Sequence, residues 1–125
     1  MNPNIETTAD TYLQHYRRRQ DEDFWAFEAV ERLVKSNLEN AWGITLLLLR
    51  KADTDDALAY VAAGPLEDFL DIYGDSALDL VEGAAESDSR LRVALSLVWL
   101  EPNSPILHRW MAILREYGFL EAGPC

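Results

Sequence analysis

His15, His108 and Cys125 are the only histidines and cysteine in this 125-residue sequence, and they are its most reactive side chains. Nucleophilic catalysis needs a nucleophile, a base within hydrogen-bond reach and a group that orients the base. Cys125 follows Gly123-Pro124 at the end of the chain, where nothing holds it in place. His15 and His108 stand close to Tyr16 and Trp110 at the margins of apolar helical stripes, the place of an amphipathic boundary histidine. Two histidines and one cysteine cannot assemble a structural zinc site. Asp53-x-Asp55 opens like a calcium loop, but Ala57, Leu58 and Gly64 occupy the positions that need an oxygen ligand, a glycine and a closing glutamate. No Glu-x-x-His pair and no glycine-rich phosphate loop occurs. Paired carboxylates can act as acid and base, but here they are too many and too evenly spread to single out a pair. No catalytic residue, metal site or cofactor is expected.

Charge is the distinctive bulk property. The formal net charge is −11. From Ala52 to Ser89 there are eleven carboxylates and no lysine or arginine, so this segment carries the whole imbalance. Such a field repels a phosphate backbone, whose recognition depends on lysine and arginine displacing counterions. It attracts and steers a basic protein, and it also keeps a small protein soluble. Arg17-Arg18-Arg19 is the one basic run, and at a helix carboxyl end it suits the negative pole.

The elements that position these residues read as helices. Thr7 or Thr8 is placed to cap a first helix to about Arg19, with Tyr12, Leu13 and Tyr16 at three- and four-residue spacing. After a break near Gln20-Asp21, Phe24, Phe27, Val30, Leu33 and Val34 form the stripe of a second. Asn37 caps a third, in which Gly43 costs up to about 1 kcal/mol relative to alanine. Asp53-Thr54-Asp55-Asp56 caps a short helix. Gly64-Pro65 is expected to end it and begin another, Pro65 to Tyr73, since proline is tolerated at the first helical position. Gly74 stops that helix, Asp75-Ser76 caps the next through Ala85, and Asp88 or Ser89 the one after. Ser104-Pro105 opens the last, closed by Gly118. The expected fold is all-α: a single domain over 1–125 of seven or eight short helices with flexible tails at 1–6 and 119–125. Short turns imply sequential antiparallel packing. A weak repeat, Ala57-Leu58-x-x-Val61 and Ala77-Leu78-x-x-Val81, favours α-solenoid-like helix pairs over an irregular bundle.

The stretch Tyr60-Val61-Ala62-Ala63-Gly64-Pro65-Leu66-Glu67-Asp68-Phe69-Leu70, with Gly74 and Leu95-x-x-Val98-Trp99, resembles a family of small bacterial proteins of unknown function. Its members carry an Ala-Ala-Gly-Pro-Leu-Glu-Asp-Leu-Leu core and a late Leu-x-x-Val-Trp. The resemblance spans roughly Trp25 to Trp110 and implies an α-helical bacterial domain. The same segment also has a physical explanation, because Glu67 and Asp68 would lie in the first turn after Pro65, where negative charge is favoured.

Without a reactive site, binding is the expected role. The chain reads as a cytoplasmic, immunity- or antitoxin-type inhibitor that engages a basic partner, such as a toxin or a nucleic-acid-binding protein. A helical adaptor or scaffold, or a phage-type mimic of nucleic acid, is the alternative. Direct nucleic-acid binding and membrane insertion are not expected, since the amino terminus has no secretory pattern and Ile44 to Leu49 is too short to span a bilayer. The expected contact residues are Glu67, Asp68 and Asp71 on one helix and Asp75, Asp79 and Glu82 on the next, forming one continuous negative surface. Of the four tryptophans, Trp25 is expected to be the exposed one and a further partner-binding residue, and the others belong to the core.

Overall fold

Short polar side chains, those of Asn4, Asn37, Thr54 and Asp88, cap the start of four of the helices. The computed structural model describes residues 4–18 and 21–119, with residues 16–18 in backbone alone. Helix α1 (Ile5–Arg18) begins from Asn4, whose Oδ1 accepts from the Thr7 N–H at 2.7 Å. Thr7 and Thr8 therefore lie within the helix, and Ile5 and Glu6 belong to it rather than to a tail. The expected tail at 119–125 lies, apart from Phe119, outside the described residues.

A 3-10 turn (Asp21–Asp23) leads to α2 (Phe24–Ser36), and a single extended residue, Asn37, separates it from α3 (Leu38–Lys51). Asn37 Oδ1 accepts from the Asn40 N–H at 2.8 Å. Thr54 caps α4 (Asp55–Val61) through the Ala57 N–H at 3.0 Å, and Asp88 caps α7 (Ser89–Ser96) through the Arg90 and Leu91 N–H groups, each at 3.1 Å. Each such cap is worth about 1 kcal/mol. Helix α8 (Leu107–Glu116) starts just after the Ser104-Pro105 turn. It closes in a Schellman motif, with Gly118 at φ 81° and the Phe119 N–H donating to the Leu114 carbonyl at 2.8 Å.

Gly64-Pro65 does not separate two helices. The chain stays helical from Asp55 to Tyr73: α4 runs into a π turn (Ala62–Leu66) and continues as α5 (Glu67–Tyr73). The Glu67 N–H donates to the Ala62 carbonyl, five residues back. Two features of the sequence account for the wide turn. Pro65 has no N–H, and in a regular helix its ring would clash with the carbonyl four residues earlier. Apolar residues also recur at strict intervals of four: Leu58, Ala62, Leu66 and Leu70 are buried, as are Ala57, Val61, Pro65 and Phe69. With 3.6 residues per turn, each step of four drifts by about 40°. Over three or four steps the stripe would wind away from the core, and the π turn takes up that drift.

This rod is the centre of the molecule. Helices α1, α2 and α3 pack on one another and against it, and α3 also reaches α6 (Asp75–Ala85) and α7. Packing between elements distant in the chain, such as α1 with α4 and α3 with α7, makes an irregular bundle rather than a stack of pairs touching only their neighbours. The Tyr73 hydroxyl donates to the Val34 carbonyl at 2.7 Å and ties the end of the rod to α2. Trp110 Nε1–H donates to the Leu95 carbonyl at 3.0 Å and docks α8 on α7. Among the described residues there is no strand.

Gly74 joins α5 to α6 at φ 56° and ψ −127°, so Asp75 and Ser76 are the first residues of α6 rather than its caps. That backbone conformation is open to glycine and strained for other residues. Gly43 and Gly83 lie inside α3 and α6, and a Cβ at either would meet no atom within 4 Å. Gly74→Ala is therefore expected to cost on the order of 1–2 kcal/mol, while Gly43→Ala and Gly83→Ala each add about 0.5–1 kcal/mol. Urea unfolding of the three variants measures this; a Gly74→Ala protein as stable as the parent would contradict the junction geometry.

Candidate functional site

Burial of Leu66, Phe69 and Leu70 turns the other side of α5 outward, and that side carries Glu67, Asp68 and Asp71. Because the helix runs on through the π turn, the Glu67 amide is already bonded to Ala62, and these carboxylates do not sit at a free helix start. The stabilisation expected from a first-turn position is absent. Asp71 lies in the last turn before Gly74, where the helix dipole disfavours negative charge.

All three carboxyls are held above the usual carboxylate range, and partial burial is the largest cause for each. Asp71 pushes Glu67 and Asp68 further up, and Glu101, in the segment after α7, does the same to Glu67 and Asp71. Two groups oppose this. The Trp99 backbone N–H bonds to the Glu67 carboxylate, and Lys35 acts on Asp68 while paired with Glu31 at 2.9 Å. Among the described residues, Glu67, Asp71 and Glu101 have no ion-pair partner.

The carboxylates of α6 have a different fate. Asp75, Asp79 and Glu82 converge on Arg109 of α8. Arg109 Nη1 lies 3.1 Å from Asp75 Oδ1 and also donates to the Asp75 carbonyl at 3.2 Å. Its Nη2 donates to Asp79 Oδ1 and, at 3.4 Å, to Glu82 Oε1. These bonds raise the guanidinium pKa further above its already high value. The expected continuous surface is thus divided. One guanidinium offsets the α6 triplet in part, while the α5 triplet adjoins another carboxylate, Glu101.

The tryptophans are also redistributed. Trp25, on α2, is 36% exposed and borders a cleft of about 370 Å³ with Thr8, Arg32, Leu33, Ser36 and Asn40, none of them acidic. Trp99 is 74% exposed, more than any other large apolar side chain among the described residues. Helix α7 ends at Ser96, and beyond it burial alternates: Leu97, Trp99 and Glu101 point outward, Val98 and Leu100 inward. That period of two marks non-helical backbone and is the signal for an exposed Trp99. Trp42 is half-buried, stacked on Phe69 at 5.5 Å.

The two histidines lie on different helices, α1 and α8. His15 packs edge-on to Phe24 at 5.8 Å, and His108 is exposed on α8. Cys125 and the side chains of Arg17-Arg18-Arg19 lie outside the described residues. Among the described residues no group of three histidine, cysteine or acidic side chains is placed to hold a metal ion, and no helix is long and apolar enough to cross a membrane.

The two acidic helices should respond oppositely to neutralisation. Arg109→Ala removes the cation from α6 and is expected to cost about 1 kcal/mol, or ~4 °C in melting temperature, with the loss shrinking at high salt. Asp71→Asn removes a repulsive charge and is expected to raise the melting temperature. Thermal melts at low and high salt measure both; an Arg109→Ala protein indistinguishable from the parent would show that the network adds nothing.

Residues 14–116 match the model of a family of unknown function, DUF6869, and the α5 face, Trp99 and Arg109 all fall within the match. No curated protein and no solved structure matches the chain. The chain belongs to the DUF6869 family of unknown function.

Proposed function

We propose that the protein is a non-catalytic binding module whose α5 face and post-α7 segment engage a basic partner protein, as an immunity- or antitoxin-type inhibitor in a bacterial cytoplasm would. The observation that carries this reading is the set of carboxylates Glu67, Asp71 and Glu101, without an ion pair among the described residues, around Trp99, the most exposed tryptophan described. Like charges gathered on one face work against the fold, and lysines or arginines from a partner would relieve that repulsion. An exposed tryptophan among charges has the make-up of an interface anchor within a polar rim. The surrounding field would speed encounter with a basic protein. Arg109 interrupts the acidic array on α6, which favours a localised docking face over an extended phosphate-like decoy.

Affinity capture from the native host, followed by association kinetics on the captured protein, tests the proposal. Trp99→Ala is expected to weaken binding by about 2 kcal/mol, roughly thirtyfold. Asp71→Lys is expected to slow association and flatten its salt dependence, while Asp79→Asn, whose parent side chain is already paired, changes little. Unaltered affinity and salt slope in Trp99→Ala and Asp71→Lys would move the contact elsewhere and leave the acidic face to solubility.

A further inference from the structure

We infer that the cleft between α1, α2 and the π turn, beside the α5–Trp99 face and sharing Asp68 with it, is a binding site for a small organic cation, an alkylammonium head group held by aromatic rings and the Asp68 carboxylate. The cleft measures about 100 Å³. That is well above the ~10–15 Å³ needed for one water and far below the ~300–1,000 Å³ of a drug-sized pocket, so it admits a head group of a few heavy atoms.

Tyr12 and Phe27 line the cleft together with Val30 and Val34. The rings of Tyr12 and Phe27 lie 6.3 Å apart and within 6° of parallel. Tyr60, 5.4 Å from Tyr12, and Phe24, 5.5 Å from Phe27, extend the row across α4, α1 and α2. Phe27 remains 37% exposed, an aromatic ring open to solvent at the cleft. Gly64 and Pro65 of the π turn also line the cleft. A Cβ at position 64 would come within 3.2 Å of the Tyr12 hydroxyl, so glycine keeps this approach open. Burial, followed by the neighbouring Tyr60, holds the Tyr12 hydroxyl far above its ordinary pKa, so its ring stays neutral.

Two carboxylates border the cleft. Glu31 is matched to Lys35 at 2.9 Å, whereas Asp68 has no ion pair among the described residues. The net charge there is therefore negative, and the partly exposed Phe27 ring lies beside it. Quaternary and protonated amines are the ligands that such aromatic sites favour, at about 0.5–2 kcal/mol per cation–π contact. An anion would meet repulsion, and a neutral group would leave Asp68 without a partner.

Titration of the full-length protein with choline, followed by the aromatic ring signals of Tyr12 and Phe27 in NMR spectra, tests the site. Choline is expected to shift both rings, whereas its uncharged isostere, with carbon in place of the quaternary nitrogen, binds at least severalfold more weakly. Asp68→Asn should weaken choline binding about tenfold, and Phe27→Leu severalfold. Glu39→Gln, on α3 and away from the cleft, should leave it within about twofold. Circular dichroism checks that each variant is folded. Tighter binding of a trimethyllysine peptide than of choline would identify a partner's side chain as the natural source of the cation, and the reverse order a free amine; both outcomes sustain the site. The inference is overturned by the absence of ring shifts up to about 50 mM choline, by equal binding of the isostere, or by equal losses in Asp68→Asn and Glu39→Gln.

Discussion

The unbroken helix from Asp55 to Tyr73 is the constraint on which the rest of the molecule depends. Its apolar residues repeat every fourth position, a spacing that a regular α-helix cannot keep on one side. The π turn at Ala62–Leu66 reconciles that repeat with a continuous core and gives the proline a place within a helix. The other helices are arranged around this rod: α1, α2 and α3 pack against it, and Tyr73 fastens its end to α2. The aromatic cleft depends on the same turn, since Gly64 supplies the bare backbone facing Tyr12.

The turn also sets the electrostatics. A helix starting at Pro65 would have stabilised Glu67 and Asp68 with its free amides. In a continuous helix those amides are occupied, and the carboxylates remain where burial and mutual repulsion work against their charge. One turn further along the chain, α6 carries similar residues at similar spacing and receives Arg109 from α8. Two adjacent acidic helices of like composition thus differ in compensation: one is ion-paired to Arg109, and the other has only Lys35, already paired with Glu31, acting on Asp68. That difference favours a binding face on α5 over one spread across both helices.

Local chemistry is legible in the sequence. Asn37, Asp88, Gly74 and Gly118 act where their side chains or backbone freedom suggest, because caps and turns depend on a few consecutive residues. The π turn escapes the same local rule, since Gly-Pro ordinarily interrupts a helix. The contrary signal, a four-residue repeat over 57–73, appears only across the whole stretch. Trp99 fits a helical stripe with Leu95 and Val98 on spacing alone, yet burial beyond Ser96 alternates. The pairing of Arg109 with residues 27 to 34 positions earlier is set by how α8 docks through Trp110, which neither spacing nor composition encodes.

The carboxylates of α5 lie on a face that disfavours their charge, and the case for a basic partner rests on this. Carboxyl-detected NMR titration of Glu67, Asp68 and Asp71 in the folded protein tests it most directly. The expected result is that all three titrate above the ordinary carboxylate values of about 4. Folded-state values raised above the unfolded ones mean that the native state binds the extra protons. The stability these groups contribute is then fully present below the ordinary range and is lost as pH rises through the raised values. Titration of all three at or below the ordinary range would contradict the claim, showing that the face is already compensated and needs no basic partner.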